Sequence, residues 1–321
     1  MPMQLPISCA NSDRIEKSFN LLRFYAYTLR LCVNRTAFFF VRRTYMQLEF
    51  KTYGTHAAGS VPLLILHGLF GEGENWASWG RLWGGDRMVV IPDLPLHGQM
   101  GQNLALSEFN YTASAQLLAD HIQHGKFIPG YNGLFLVMGH SMGGKLAMSL
   151  ALLHPACVSR LCVVDIAPKS YAPAHTEIFA AIDAINRLIV QAGIKSRSDA
   201  DQAIAPIVEM PAVRAFLLKS LLPPGDVDKA WHWKFNVAGI RASYDHIAGW
   251  ITLPPNTSCS VEAHFIGGEL SPYILPEDSQ IIQHLFPGAV FHTVANAGHW
   301  VQADNREGFL QACGKFFQNG R

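Results

Sequence analysis

The chain has 321 residues, of which 49% are hydrophobic and only 15% charged, with a net charge of +1. That is enough apolar material for one large domain with an insertion or two small domains, and no charge excess marks a nucleic-acid or anionic partner. The six cysteines (Cys9, Cys32, Cys157, Cys162, Cys259 and Cys313) show no CxxC spacing, which favours free thiols in a reducing, cytoplasmic setting over a disulfide framework or a metal site.

Residues 1–45 differ from the rest. They carry Arg14, Arg23, Arg30, Arg35, Arg42, Arg43 and Lys17 against Asp13 and Glu16, interleaved with apolar patches such as "FYAYTL" and "AFFFV". No uncharged apolar run approaches the roughly 18 residues of a membrane span, and there is no clean secretory pattern. Three readings remain: an Arg-rich targeting segment that would direct the chain to an organelle, a membrane-surface helix, or a stretch that is not part of the functional protein. Met46 opens "MQLEFKTYG", a natural start on a strand, which favours the last of these.

From Met46 the pattern becomes regular. "MQLEFKTY" alternates as a half-buried strand does, and "VPLLILHG" is a continuous apolar run suited to full burial. "ENWASWGRLWGG" reads as a helix, "MVVIPDLPLHG" as a second buried strand with a loop, and "YTASAQLLADHIQHG" as a helix stopped by glycine. "LFLVMGHS" is a third buried strand, "MGGKLAMSLALLHP" a helix with a proline stop, and "RLCVVDIAP" a fourth strand. After a long interval come "VEAHFIGG" and "AVFHTVANAG", each followed by a helix, "PEDSQIIQHLF" and "NREGFLQACGKFFQ". Apolar runs alternating with helices predict an α/β fold, a mostly parallel sheet covered on both faces.

Between about residues 170 and 254 the alternation stops. "HTEIFAAIDAINRLIVQAG", "SDADQAIAPIVE" and "PAVRAFLLKSLL" read as helices, and "AWHWKFNVAGIRASYDHIAGW" is aromatic-rich and ambiguous. The block reads as a helical cap inserted into a domain spanning 46–321, over the carboxyl ends of the strands where open α/β sheets bind ligands. The segment "FLLKSLL" and Trp231, Trp233, Phe235 and Trp250 suit an apolar pocket there, and core packing explains them equally well.

The chemistry centres on "GHSMGG", Gly139 to Gly144. It follows a buried strand and opens a helix, the context that gives G-x-S-x-G its meaning: a sharp turn presents Ser141 at a helix amino end, and Gly139 and Gly143 let backbone approach without a Cβ clash. A serine needs a base, and His299 in "ANAGHWVQAD" follows the last strand on the same sheet edge. An oxyanion hole needs two N–H donors. Met142, directly after the serine, supplies one; Leu69, after "LLILHG", supplies the other, with Phe70 as the alternative. The acid is less direct. Counting on from Gly268 along the post-cap strand gives Glu269, Leu270 and Ser271, so the step where a carboxylate is expected holds serine. Glu269 is one or two residues early, and side-chain direction reverses at each step of a strand. The alternative is Asp165 in "CVVDIAP", which ends the strand after the nucleophile helix and is costly to bury unless paired. Asp93 in "IPDLPLHG" also ends a strand but precedes the nucleophile, and reads as a loop-positioning residue.

These residues resemble an α/β-hydrolase, and more narrowly the YbfF-like esterases and the alpha/beta hydrolase domain-containing protein 11 group. The resemblance is carried by "LHGLFGEGENW", "GHSMGGKLAM", "VVDIAPKSY", "EIFAAIDAIN", "FLLKSL", "GGELSPYI" and "NAGHWVQAD", and spans about Met46 to the C-terminus. It implies that the acid is Asp165 and that Ser271 lies near the histidine. Two departures stand out: "PDLPLHG" where relatives commonly carry D-x-R-N-H-G, and "GGELSPY", one residue longer than the usual GGNSPY. The expectation is a serine esterase or thioesterase acting on a small acyl ester or thioester through Ser141, His299 and Asp165, with no metal or organic cofactor. The alternatives are a C–C bond hydrolase or lyase on the same fold, and a binding protein with a relic site.

Overall fold

In the computed structural model, which describes residues 47–102, 108–226 and 228–318, the apolar runs become neighbouring strands. The basic segment 1–45 lies outside the described residues. In chain order the first half comprises β1 (Phe50–Tyr53), β2 (Leu63–Leu66), a 3-10 turn (Gly73–Trp76) running into α1 (Ala77–Trp83), β3 (Val89–Pro92), α2 (Tyr111–Gln123), β4 (Phe135–His140), α3 (Met142–Leu153) and β5 (Val158–Val164). The cap follows, with α4 (Thr176–Val190), α5 (Arg197–Ile204), α6 (Pro211–Lys219), a two-stranded ladder of β6 (Leu221–Leu222) and β7 (His232–Trp233), α7 (Val237–Ala242) and α8 (Tyr244–Ala248). The chain then returns to the sheet through β8 (Glu262–Gly268), α9 (Asp278–Leu285), β9 (Val290–Val294), α10 (Val301–Asp304) and α11 (Arg306–Phe317).

The seven-stranded sheet has the order β1-β3-β2-β4-β5-β8-β9. Every pairing is parallel except β1 with β3. Successive side chains of a strand point to opposite faces, and both faces are covered. Leu64, Leu66 and Val137 pack on one face with Leu146 of α3 and Leu118 of α2. Leu63, Ile65, Leu136 and Met138 pack on the other with Trp79 of α1 and with Phe309 and Phe316 of α11. All residues of β2, β3 and β4 are buried, so the runs that read as continuous apolar strands are the central ones.

Four elements differ from the sequence reading. The helix expected over "PAVRAFLLKSLL" ends at Lys219, and Leu221–Leu222 pair with β7 as a strand. The strand expected over "MQLEFKTY" contracts to Phe50–Tyr53, paired with Val89–Pro92; upstream of it the Leu48 N–H donates to His121 Nε2 at 3.0 Å. The helix expected over "SDADQAIAPIVE" stops at Ile204, two residues before Pro206, which has no N–H to continue it. The ambiguous aromatic stretch resolves into β7, α7 and α8, with Asn236 capping α7 through the Gly239 N–H.

Candidate active site

The turn from β4 to α3 is strained where the motif demands it. Ser141 has φ 55° and ψ −120°, a conformation that side-chain-bearing residues rarely adopt. The glycines around it leave no room for a methyl group. A Cβ on Gly139 would lie 2.1 Å from the Gly143 carbonyl oxygen, and one on Gly143 would lie 2.3 Å from the Leu66 carbonyl oxygen. The turn is held from below by the Ser141 N–H, which donates to the Val164 carbonyl at 3.0 Å.

His299, in the loop after β9, bridges two strand ends. Its Nε2 lies 3.0 Å from Ser141 Oγ and its Nδ1 lies 2.7 Å from Asp165 Oδ2. Asp165 directly follows β5, is fully buried, and adopts φ 54°. Its carboxylate accepts from three directions: the Gly268 N–H reaches Oδ1 at 3.0 Å, while the Ser271 hydroxyl and the His299 Nδ1–H both reach Oδ2. Glu269 faces elsewhere. It is exposed, and its Oε2 accepts the Asn296 N–H at 2.8 Å, bracing the turn that leads to His299. Asp93 Oδ1 accepts the Gly73 N–H at 2.7 Å and so holds the loop after β2.

The predicted oxyanion donors flank the serine. Met142 opens α3, so its N–H has no carbonyl one turn back. Leu69 follows Gly68, where a Cβ would stand 3.4 Å from Ser141 Cβ; Phe70 then turns the loop away with φ 60°. Two histidines fix these loops. His67 Nε2 accepts the Leu94 N–H at 3.0 Å, so its Nδ1–H donates to the Gly68 carbonyl at 2.9 Å. His140, buried beside the serine, donates its Nε2–H to the His299 carbonyl at 2.8 Å. Burial holds the pKa of His67 down to about 4, and burial together with the nearby His299 holds His140 down to about 3, so both stay neutral. The Tyr273 ring stacks on the His299 ring at 4.0 Å between centroids.

An open-mouthed cavity of about 400 Å³, counting the solvent at its mouth, adjoins Ser141. Its aromatic walls are Tyr111, Tyr171, Tyr244 and Tyr273. Of the aromatics that suited a pocket in sequence, Trp233 and Phe235 are buried in the core, and Trp231 and Trp250 pack against it partly buried. Lys145, one turn after the serine on α3, also lines the cavity. It is buried, and its Nζ donates to the carbonyls of Ala248 and Gly249 at 2.8 and 2.7 Å, tying α3 to the end of the cap. Burial lowers its pKa to about 7. The sequence reading passed over His140, Lys145 and Tyr273. His140 occupies a free position of the motif and Lys145 a helix position with no spacing signal, while Tyr273 was visible only as part of "SPY".

Among the described residues no cluster of three or more His, Cys, Asp or Glu side chains could hold a metal ion, and no helix is long and apolar enough to cross a membrane.

Comparison with known proteins gives the family and the fold. Residues 63–312 match the alpha/beta hydrolase family. The chain is 31% identical to Esterase YbfF of Escherichia coli over 259 residues, which cover 80% of this chain and 93% of that protein. It is 33% identical to the sn-1-specific diacylglycerol lipase ABHD11 of Danio rerio over 264 residues, covering 81% and 79% of the two chains. A solved marine microorganism esterase superposes with a TM-score of 0.75 at 31% identity, covering 84% of this chain and 99% of that one.

Proposed function

The chain belongs to the alpha/beta hydrolase family and is an esterase-type hydrolase, and on that premise we propose that Ser141, His299 and Asp165 cleave carboxylic esters or acyl thioesters through an acyl-enzyme. The supporting observation is that one imidazole contacts both the Ser141 hydroxyl and the Asp165 carboxylate.

Ser141 Oγ attacks the acyl carbonyl as His299 Nε2 takes the hydroxyl proton. The carbonyl π electrons move onto oxygen, where the N–H groups of Leu69 and Met142 receive the charge. The tetrahedral centre collapses, the bond to the leaving group breaks, and His299 returns the proton to that oxygen or sulfur. Water then repeats the sequence on the acyl-serine and releases the acid. Asp165 keeps the hydrogen on Nδ1 and stabilises the imidazolium. All of these steps use side chains and backbone of this chain. The small-molecule ester or thioester would enter by the cavity that Ser141 lines with the cap.

Ser141→Ala should abolish both hydrolysis of p-nitrophenyl acetate and labelling by a fluorophosphonate probe. Full retention of either ends the proposal. A series of esters and CoA thioesters of increasing acyl length then fixes the substrate class.

A further inference from the structure

Inside the cavity, one pair of cap side chains plays no part in the steps above. His175 sits immediately before α4 and Tyr244 opens α8. Both line the cavity together with Ser141 and Leu69. The His175 ring also meets the ring of Phe70 edge-on, 6.0 Å between centroids, beside the predicted oxyanion loop. A polar cap residue thus shares the cavity with Ser141.

The hydrogen bonds of the pair determine which nitrogen of His175 carries the proton. His175 Nδ1 lies 2.7 Å from the Tyr244 hydroxyl oxygen. That oxygen also accepts the Ala174 backbone N–H at 3.2 Å, a donor that cannot be redirected. The phenol O–H can then donate to His175 Nδ1, its acceptor among the described residues. Leaving that hydrogen without an acceptor would forfeit a hydrogen bond in a half-buried site. In that arrangement Nδ1 is the acceptor and Nε2 bears the hydrogen. Nε2 has no hydrogen-bond partner among the described residues, and it is not sealed in the core. Burial, and to a lesser degree the neighbouring His299, lower the His175 pKa to about 4. The ring thus stays neutral at working pH, a fixed single donor rather than a cation.

We propose that His175, oriented by Tyr244, is a specificity-determining residue whose Nε2–H donates to an oxygen acceptor of the bound ester other than the scissile carbonyl. The enzyme then prefers esters with an ether, hydroxyl or second carbonyl oxygen over hydrocarbon esters of the same shape. A hydrocarbon substrate leaves the N–H without a partner once the cavity is filled, and a site built around a polar group discriminates against the analogue that lacks its complement. The inference rests on the ester-hydrolase reading of Ser141.

Two isosteric pairs test it. p-Nitrophenyl methoxyacetate and p-nitrophenyl butyrate differ by an oxygen in the acyl half; 2-methoxyethyl acetate and butyl acetate differ by one in the alcohol half. Intrinsic reactivity cancels when the ratio of kcat/KM within a pair is compared between enzymes. In His175→Phe the oxygen-to-hydrocarbon ratio should fall about tenfold in one of the pairs, which also shows which half meets the cap. His175→Gln, which keeps a side-chain N–H, should retain part of the preference. Tyr244→Phe should lower the same ratio, since Nδ1 loses the donor that fixes the tautomer, and it serves if His175→Phe does not fold. Unchanged ratios in both pairs, with fluorophosphonate labelling intact, overturn the proposal while leaving the hydrolase reading standing. Labelling that persists in Ser141→Ala removes the hydrolase reading itself.

Discussion

Ser271 donates its hydroxyl hydrogen to the same carboxylate oxygen of Asp165 that faces His299. The Asp165 carboxylate is thus held from the post-cap loop by a side chain and, through Gly268, by the backbone. Ser271 stands where a post-cap carboxylate is often found, and here it positions the carboxylate from the neighbouring strand. Ser271→Ala should therefore leave the triad present but less constrained. We expect kcat/KM for a short p-nitrophenyl ester to drop roughly tenfold, the scale of one charge-assisted hydrogen bond. Steady-state kinetics with fluorophosphonate labelling as a control for site integrity measures this.

The location of the acid separates two substitutions. Asp165→Asn removes the charge and the tautomer control of His299, and should reduce kcat by about 10⁴-fold. Glu269→Gln keeps an oxygen able to accept the Asn296 N–H, and should change kcat by less than about twofold. The reverse outcome in the same assay would assign the acid to Glu269.

The nucleophile turn trades stability for presentation of the hydroxyl. Ser141 occupies φ 55°, which glycine adopts freely and other residues adopt at a cost of about 1–3 kcal/mol. Ser141→Gly should therefore be inactive yet about 1 kcal/mol more stable than the native chain, whereas Ser141→Ala retains the Cβ and gains little. Urea midpoints at equal m-values decide between them.

Lys145 makes the stability of the fold depend on alkaline pH. Burial lowers its pKa from an ordinary 10.5 to about 7. Between those values the native amine has released a proton that the unfolded chain still holds, so stability rises with pH, by at most about 1.4 kcal/mol per unit. The gain is complete above about pH 10.5, and is lost as pH falls through about 7. The neutral amine keeps two N–H groups, enough for the Ala248 and Gly249 carbonyls, so the tie to the cap survives titration. Lys145→Met should lack this rise, seen as a narrowing gap in Tm between wild type and variant as pH drops from 10 to 6.

Much of this site could be read from the letters alone because local constraints were severe. A serine between glycines at a strand-to-helix junction has few other structural explanations, and an aspartate ending a buried strand must find partners. Glu269 illustrates the limit of such counting. It lies closest to the expected step, and its side chain runs to Asn296 instead. Contacts made across long stretches of chain left no trace. His175 meets Tyr244 across 69 residues and Lys145 meets Ala248 across 103, and each is an isolated polar letter on or beside a helix. Composition left the pocket wall open: indoles such as Trp233 look alike in sequence whether they fill a core or line a cavity, and packing puts tyrosines around the cavity.

The cap leaves the sheet after β5 and rejoins it at β8, and these strands are neighbours, with Val164 opposite Ile266. The ends of the cap meet where the Tyr171 N–H donates to the Ala248 carbonyl at 2.9 Å. An excursion between such close anchor points can grow or shrink at little entropic expense. The serine turn, the histidine loop and the carboxylate clamp all sit outside it. In evolutionary terms the cap is a cassette. Substrate preference can be rewritten by exchanging one contiguous segment between relatives, while the reactive groups beneath it keep their geometry.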